Sequence, residues 1–155
     1  MPDTPQFLAK RLRSEGEKVT AFFTALDDAA WTQTVYTEGE TWTIRNVLVH
    51  FVTAEQGFLK LFADIAAGGA GAGDDFDIDR YNARQQEKAQ ALTRQELLVQ
   101  FQDVREKMAE WAEGLAEDDL AQVGRHPYLG ETTLTEMIKL VYRHNQIHYR
   151  DMRKS

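Results

Sequence analysis

Residues 133–153 read TLTEMIKLVYRHNQIHYRDMR. Thr133, followed three positions later by Glu136, forms a capping box and announces a helix whose apolar side carries Leu134, Met137, Ile138 and Val141. Counting about 100° per residue, His148 falls near the middle of that stripe, with Met152, and His144 lies about 60° to one side. The two histidines are four positions apart and share a face, so both point toward whatever this helix packs against. A helix this amphipathic needs apolar partners, and the rest of the chain supplies them.

Working outward, three further helices share the same periodicity. Phe7, Leu8, Leu12, Val19, Phe22, Phe23 and Leu26 recur at three- and four-residue steps and predict a first helix from Thr4 to Leu26, ended by Asp27 and Asp28. Ile44, Val47, Leu48, Phe51, Phe58, Phe62 and Ile65 stripe a second, which the glycine-rich tract GGAGAG at 68–73 stops. Residues 76–90 read as a short polar helix. Thr93 with Glu96 is another capping box and opens a third long helix, from Arg94 to Leu115, with Leu97, Phe101, Val104, Met108, Trp111 and Leu115 inward. Internal repeats and strand alternation are not expected. The predicted fold is all-α, a four-helix bundle forming a single domain over residues 1–155.

Composition narrows the function. The chain has 155 residues, 18 basic and 25 acidic, for a net charge of −7, and it has no cysteine. Disulfides, thiolate ligands and a cysteine nucleophile are therefore excluded, and a bound metal would take nitrogen and oxygen ligands. The acidic balance points away from a nucleic-acid partner, which calls for clustered Lys and Arg. The longest apolar run, Val47 to Val52, is interrupted by His50, and a membrane span is not expected. The first twenty residues mix both charges without an unbroken apolar segment, so a cytoplasmic protein is expected rather than a secreted one.

A third histidine joins the pair. His50 lies at the margin of the second helix's stripe, and Ala54 and Gly57 continue its side with side chains small enough to leave a cavity or to let a neighbouring helix approach closely. It sits about 10 Å from that helix's start, whereas His144 and His148 sit roughly 8 to 14 Å before the end of the last helix. The three are level only if helices two and four run antiparallel. That arrangement requires a long crossover between helices two and three, and residues 68–92 are enough to make it. Spacing, face and connection thus agree on one internal site of His50, His144 and His148 for a divalent metal. Asn145 follows His144 where a zincin requires its general-base Glu, so that motif is absent. Glu55 faces inward, either to orient a histidine or to pair with an arginine. His126, in HPYLGE, reads as a turn or surface residue. Asn82 and Arg84 are candidates to line the mouth and bind a polar cofactor or substrate, with a solvated polar helix as the competing reading.

The segments TWTIRNVLVHF (41–51), FDIDRYNARQ (76–85) and HPYLGETTLTEMIKLVYRHNQIH (126–148) resemble the DinB/YfiT-like metalloprotein superfamily, and within it the mycothiol-dependent maleylpyruvate isomerase-like branch. The resemblance covers nearly the whole chain. It implies a bundle with helices two and four antiparallel, a divalent metal on His50, His144 and His148, and a homodimer. Characterised members are thiol transferases or isomerases using mycothiol, bacillithiol or glutathione, and isomerases can carry Glu where this chain has His144. Zn²⁺ or Ni²⁺ on three neutral imidazoles keeps an open position, the pattern of catalytic sites. The expectation is a metal-dependent thiol S-transferase or isomerase acting on a small electrophile, with a low-molecular-weight thiol as co-substrate. A non-catalytic, stress-associated metal-binding bundle is the alternative, and hydrolysis is a third reading.

Overall fold

A computed structural model describes residues 3–154. Its elements are α1 (Pro5–Ala25), α2 (Asp28–Trp31), β1 (Thr34–Tyr36), β2 (Trp42–Thr43), α3 (Ile44–Ala66), α4 (Ile78–Lys88), α5 (Arg94–Glu113), a 3-10 turn (Glu117–Ala121), β3 (Val123–His126), β4 (Gly130–Thr133) and α6 (Leu134–Arg153). The long helices α1, α3, α5 and α6 form the bundle.

Each long helix begins where a threonine hydroxyl accepts an otherwise unpaired backbone N–H: Thr4, Thr43, Thr93 and Thr133 are the caps. Thr43 with Asn46 and Thr93 with Glu96 are reciprocal boxes. At Thr133 only half of the box forms, because the Glu136 carboxylate turns instead toward Lys139 and Arg143. Asp27, expected to end the first helix, accepts from the Ala30 N–H and caps the short α2.

Pairwise contacts fix the helix directions. Gln146 donates to Glu15 at 3.0 Å and the Phe22 and Tyr149 rings lie 5.0 Å apart, so α1 and α6 run parallel. Phe51 meets Phe101 and Phe62 meets Trp111, so α3 and α5 are also parallel. The Arg94 guanidinium, at the start of α5, donates to the carbonyls of Phe23 and Leu26 at the end of α1, which sets those two antiparallel. His50, near the start of α3, meets His144 and His148, near the end of α6. The order is therefore up, down, down, up, with the crossover between α3 and α5.

Two antiparallel hairpins, β1–β2 and β3–β4, depart from the all-helical expectation. Their strands are two to four residues long, too short for a period-two pattern to stand out. The glycine-rich tract is pinned to the second hairpin: Ala72 N–H donates to the Arg125 carbonyl and Arg125 N–H to the Ala70 carbonyl. Gly71 has φ +95°, and a Cβ there would lie 2.5 Å from the Arg125 carbonyl oxygen, so this close approach requires glycine.

The core divides into two apolar clusters. One gathers Leu8, Leu12, Phe58, Phe62, Met108 and Met137; the other gathers Val19, Phe23, Phe51, Phe101 and Met152. All four long helices contribute buried polar residues, among them Glu15, Glu55, Arg105 and Asn145. Of the two roles open to Glu55, the structure shows the ion pair: Arg105 Nε and an Nη donate to its two carboxylate oxygens, each at 2.8 Å. Arg105 also donates to the Leu12 carbonyl and to the Asn145 side chain.

Candidate metal centre

Beside this polar layer, α3 and α6 bring three imidazoles together. His50 Nε2 lies 2.9 Å from His144 Nε2, and His144 Nε2 lies 3.0 Å from His148 Nε2. One nitrogen from each ring lies within 4.8 Å of the others. Their rings stand edge to face, and the Phe51 ring packs against those of His144 and His148, at 5.9 and 5.7 Å between centroids. The β1–β2 hairpin closes over them: the Trp42 ring lies 5.0 Å from His50, and the Tyr36 hydroxyl 2.7 Å from His148 Nδ1.

Hydrogen bonding assigns the His148 tautomer. The Tyr36 hydroxyl donates to Asp151 Oδ2 at 2.5 Å, which leaves its oxygen to accept from His148 Nδ1–H. Burial, and then the bond to Asp151, raise the Tyr36 pKa, which keeps that phenol a donor. His148 Nε2 is consequently the unprotonated nitrogen and aims its lone pair at His144. All three histidines are held neutral. Burial lowers His50 to about 3, assisted by the nearby His148 and opposed by Asn82. Burial, together with the nearby His50 and His148, lowers His144 to about 2. Burial also lowers His148, against the opposing charge of Asp151.

Of the two short Nε2···Nε2 contacts, a single N–H of a neutral ring can bridge only one in a linear hydrogen bond, whereas a cation between the three nitrogens would satisfy both. Nitrogens that share a tetrahedral ion at its usual bond length of about 2.05 Å stand about 3.3 Å apart, and the two short separations here are within a few tenths of an ångström of that. A carboxylate that orients a ligating histidine through its other ring nitrogen is characteristic of such centres, and Asp151 acts on His148 in that way through Tyr36. The donor set fits a divalent metal.

The other candidates separate. Asn82, on α4, reaches His50 and Tyr128 without satisfying His50 Nδ1, and it lines both cavities beside the histidines. Arg84 sits on the exposed side of α4 and lines neither cavity. His126 serves a turn, its Nδ1 accepting from the Tyr128 and Leu129 N–H groups, but at 1% exposure it is not a surface residue, and it stands outside the three-histidine group. Of the two possibilities open to Ala54 and Gly57, both occur: a cavity is lined by the pair, and Tyr81 of α4 comes so close to Gly57 that a Cβ there would lie 3.1 Å from its hydroxyl. Tyr36, Trp42 and Asp151 were not singled out from the sequence. Asp151 lies three residues beyond His148 on the same helix and was findable by spacing; Tyr36, on a three-residue strand 112 positions away, left no such signal.

The fold and these histidines define a helical bundle with a nitrogen-donor centre between two antiparallel helices. The chain belongs to the DinB superfamily, whose family model matches residues 11–152. Similar solved structures include the colibactin self-resistance protein ClbS in complex with a dsDNA, 14% identical, covering 100% of this chain and 98% of that one at a TM-score of 0.74. An uncharacterised protein from Escherichia coli UTI89 is 14% identical, with 99% and 93% covered and a TM-score of 0.75. YfiT from Bacillus subtilis, described as a probable metal-dependent hydrolase with an unusual four-helix bundle topology, is 16% identical, with 94% and 84% covered and a TM-score of 0.73. No curated protein matches the chain. The ClbS complex overturns the exclusion of nucleic acid drawn from net charge, since a protein of this fold binds duplex DNA. Net charge sums a whole surface, whereas contact depends on one face. No helix among the described residues is long and apolar enough to cross a membrane.

Proposed function

We propose that this chain is a divalent-metal-dependent enzyme, with the ion, Zn²⁺ or Ni²⁺, held by His50, His144 and His148, that activates a small-molecule thiol for attack on a small electrophile. The observation that carries this reading is the convergence of three neutral imidazole nitrogens, one of them oriented by Tyr36 and Asp151. A bound ion supplies Lewis acidity that stabilises a nucleophile's anionic form near neutral pH. The protein's own groups do the rest. Tyr36 and Asp151 hold the His148 ring and keep its proton on Nδ1. The Trp42 indole covers His50 and limits water access from that side. Asn82, on the opposing helix α4, offers an amide to hold a polar group of the substrate. With no cysteine in the chain, the thiol comes from a small molecule.

The similarity to YfiT favours a second reading, in which water is the nucleophile and the reaction is hydrolysis. Both are tested by incubating metal-loaded protein with a panel of activated electrophiles, with and without a low-molecular-weight thiol. Thiol-dependent turnover that is lost in His144→Ala supports transfer. Turnover that needs no thiol replaces it with hydrolysis. A metal that raises the unfolding temperature without turnover on any of the panel supports the non-catalytic bundle.

A further inference from the structure

The protons of the three histidines leave one buried donor unpaired. His50 Nε2 faces His144 Nε2 at 2.9 Å, and with that nitrogen turned to the shared point the proton of the neutral ring sits on Nδ1. Nδ1 is buried and has no hydrogen-bond partner. A buried N–H left unpaired costs free energy, and a ligating histidine ordinarily donates its second N–H to a carboxylate, a carbonyl or a water. His148 has such an outer partner in Tyr36, whereas His50 has none. We infer that Asn82 is that partner: a positioning residue whose side-chain oxygen accepts from His50 Nδ1–H and so fixes Nε2 as the ligand nitrogen. The inference deepens the metal-centre reading above and rests on it.

The packing of α4 on α3 puts Asn82 in place. Two sets of contacts fix the register of these antiparallel helices. Toward the start of α3, Asn46 Nδ2 donates to Gln86 Oε1 at 2.9 Å and Gln86 Nε2 donates back to the Asn46 carbonyl at 2.8 Å. Farther along, the Tyr81 hydroxyl donates to the Thr53 carbonyl at 2.9 Å. His50 lies one turn after Asn46 and Asn82 one turn before Gln86, so the two fall opposite each other between these contacts. Gln86 cannot serve His50 instead, because both ends of its amide are engaged by Asn46. The Trp42 ring lies 5.0 Å from that of His50, and Trp42, Asn82 and His148 line one cleft.

An asparagine amide carries an acceptor at one end and a donor at the other, and its terminal torsion is broad, so one side chain can serve two neighbours. With Oδ1 turned to His50, Nδ2 is left to donate toward the Tyr128 hydroxyl and the cleft. The electrostatic effects of Asn82 run the same way. Burial, and then His148, lower His50 while Asn82 raises it, as an acceptor does; burial raises Tyr128 while Asn82 lowers it, as a donor does. Asn82 thus does for His50, from α4, what Tyr36 does for His148 from the β1–β2 hairpin.

The test is the zinc affinity, by competition with a chromophoric chelator, of the unaltered chain, Asn82→Leu and Asn82→Asp, with proton–nitrogen NMR spectra of the histidine rings recorded on zinc-loaded and metal-free protein. Asn82→Leu keeps the size of the side chain and removes the acceptor, and the expected loss of affinity is about 10- to 100-fold. Asn82→Asp restores an acceptor and should bind zinc within about threefold of the unaltered chain, or more tightly. In the spectra the His50 proton resides on Nδ1 and exchanges slowly in the unaltered chain, and it exchanges faster in Asn82→Leu. An affinity in Asn82→Leu within about twofold of the unaltered chain overturns the inference. So does a loss in Asn82→Asp as large as that in Asn82→Leu, which would mark Asn82 as a packing residue only. A chain that takes up no zinc defeats the metal-centre reading instead, and the metal-free spectra then decide the inference by themselves. A His50 Nδ1–H whose exchange Asn82→Leu hastens upholds it, and a His50 protonated on Nε2 overturns it.

Discussion

At the scale of single residues, the account depends on which nitrogen of His148 carries the proton. Tyr36→Phe removes the acceptor for Nδ1–H while keeping the ring that packs against His148. Loss of such an outer partner costs metal affinity by roughly 10- to 100-fold. We therefore expect competition against a chromophoric chelator to show that loss in Tyr36→Phe and in Asp151→Asn, with the helical circular dichroism spectrum retained. Unchanged affinity in both would remove Tyr36 and Asp151 from the centre. The Glu55–Arg105 pair makes a separate prediction, because both side chains are at most 4% exposed. Glu55→Ala leaves a buried guanidinium uncompensated and should lower stability to denaturant by about 3–5 kcal/mol, whereas Glu55→Leu combined with Arg105→Met should restore most of it. A small loss in the single variant would mean that water reaches the pair.

At the scale of elements, the hairpins and the glycine-rich tract carry more than their length suggests. The β1–β2 hairpin delivers Tyr36 and Trp42 to the histidines, and the 70–72 segment docks on Arg125 of β3. Gly71→Ala places a Cβ against the Arg125 backbone at φ +95°, and a left-handed non-glycine residue alone costs roughly 1–2 kcal/mol. A fall of several degrees in unfolding temperature is expected for it, and little change for Gly73→Ala, where the nearest heavy atom is a side-chain oxygen 3.1 Å away. Equal effects would show that the tract is only a tether. The long helices were legible in the sequence because threonine caps and 3.6-residue periodicity are local signals: the starts predicted after Thr93 and Thr133 are the observed ones, at Arg94 and Leu134. The crossover was legible through the axial positions of the histidines. The hairpins were not, since a strand of two or three residues with one half-buried face has no pattern to read, and the contact from Tyr36 to His148 belongs to tertiary structure alone.

At the scale of the whole molecule, burying four histidines as neutral rings ties stability to pH. His50, His126 and His144 are lowered to about 3, 4 and 2, and His148 is lowered as well, burial being the first cause in each case. The unfolded chain, with histidines near 6.5, binds more protons than the native one at every pH between these values and that level, so stability rises with pH across that window. Metal-free protein should accordingly unfold at progressively lower temperature as pH falls from 7 toward 5, and His126→Asn should flatten part of that slope. A flat profile would show that the rings are hydrated or already charged when folded. The central claim is that His50, His144 and His148 form one metal centre, and the most direct measurement is the metal content, by mass spectrometry, of tag-free protein beside His50→Ala, His144→Ala and His148→Ala. The account predicts near-stoichiometric metal in the unaltered chain and its loss in each folded variant. A chain that takes up no metal after incubation with Zn²⁺ or Ni²⁺, or that keeps its metal in the variants, would contradict it.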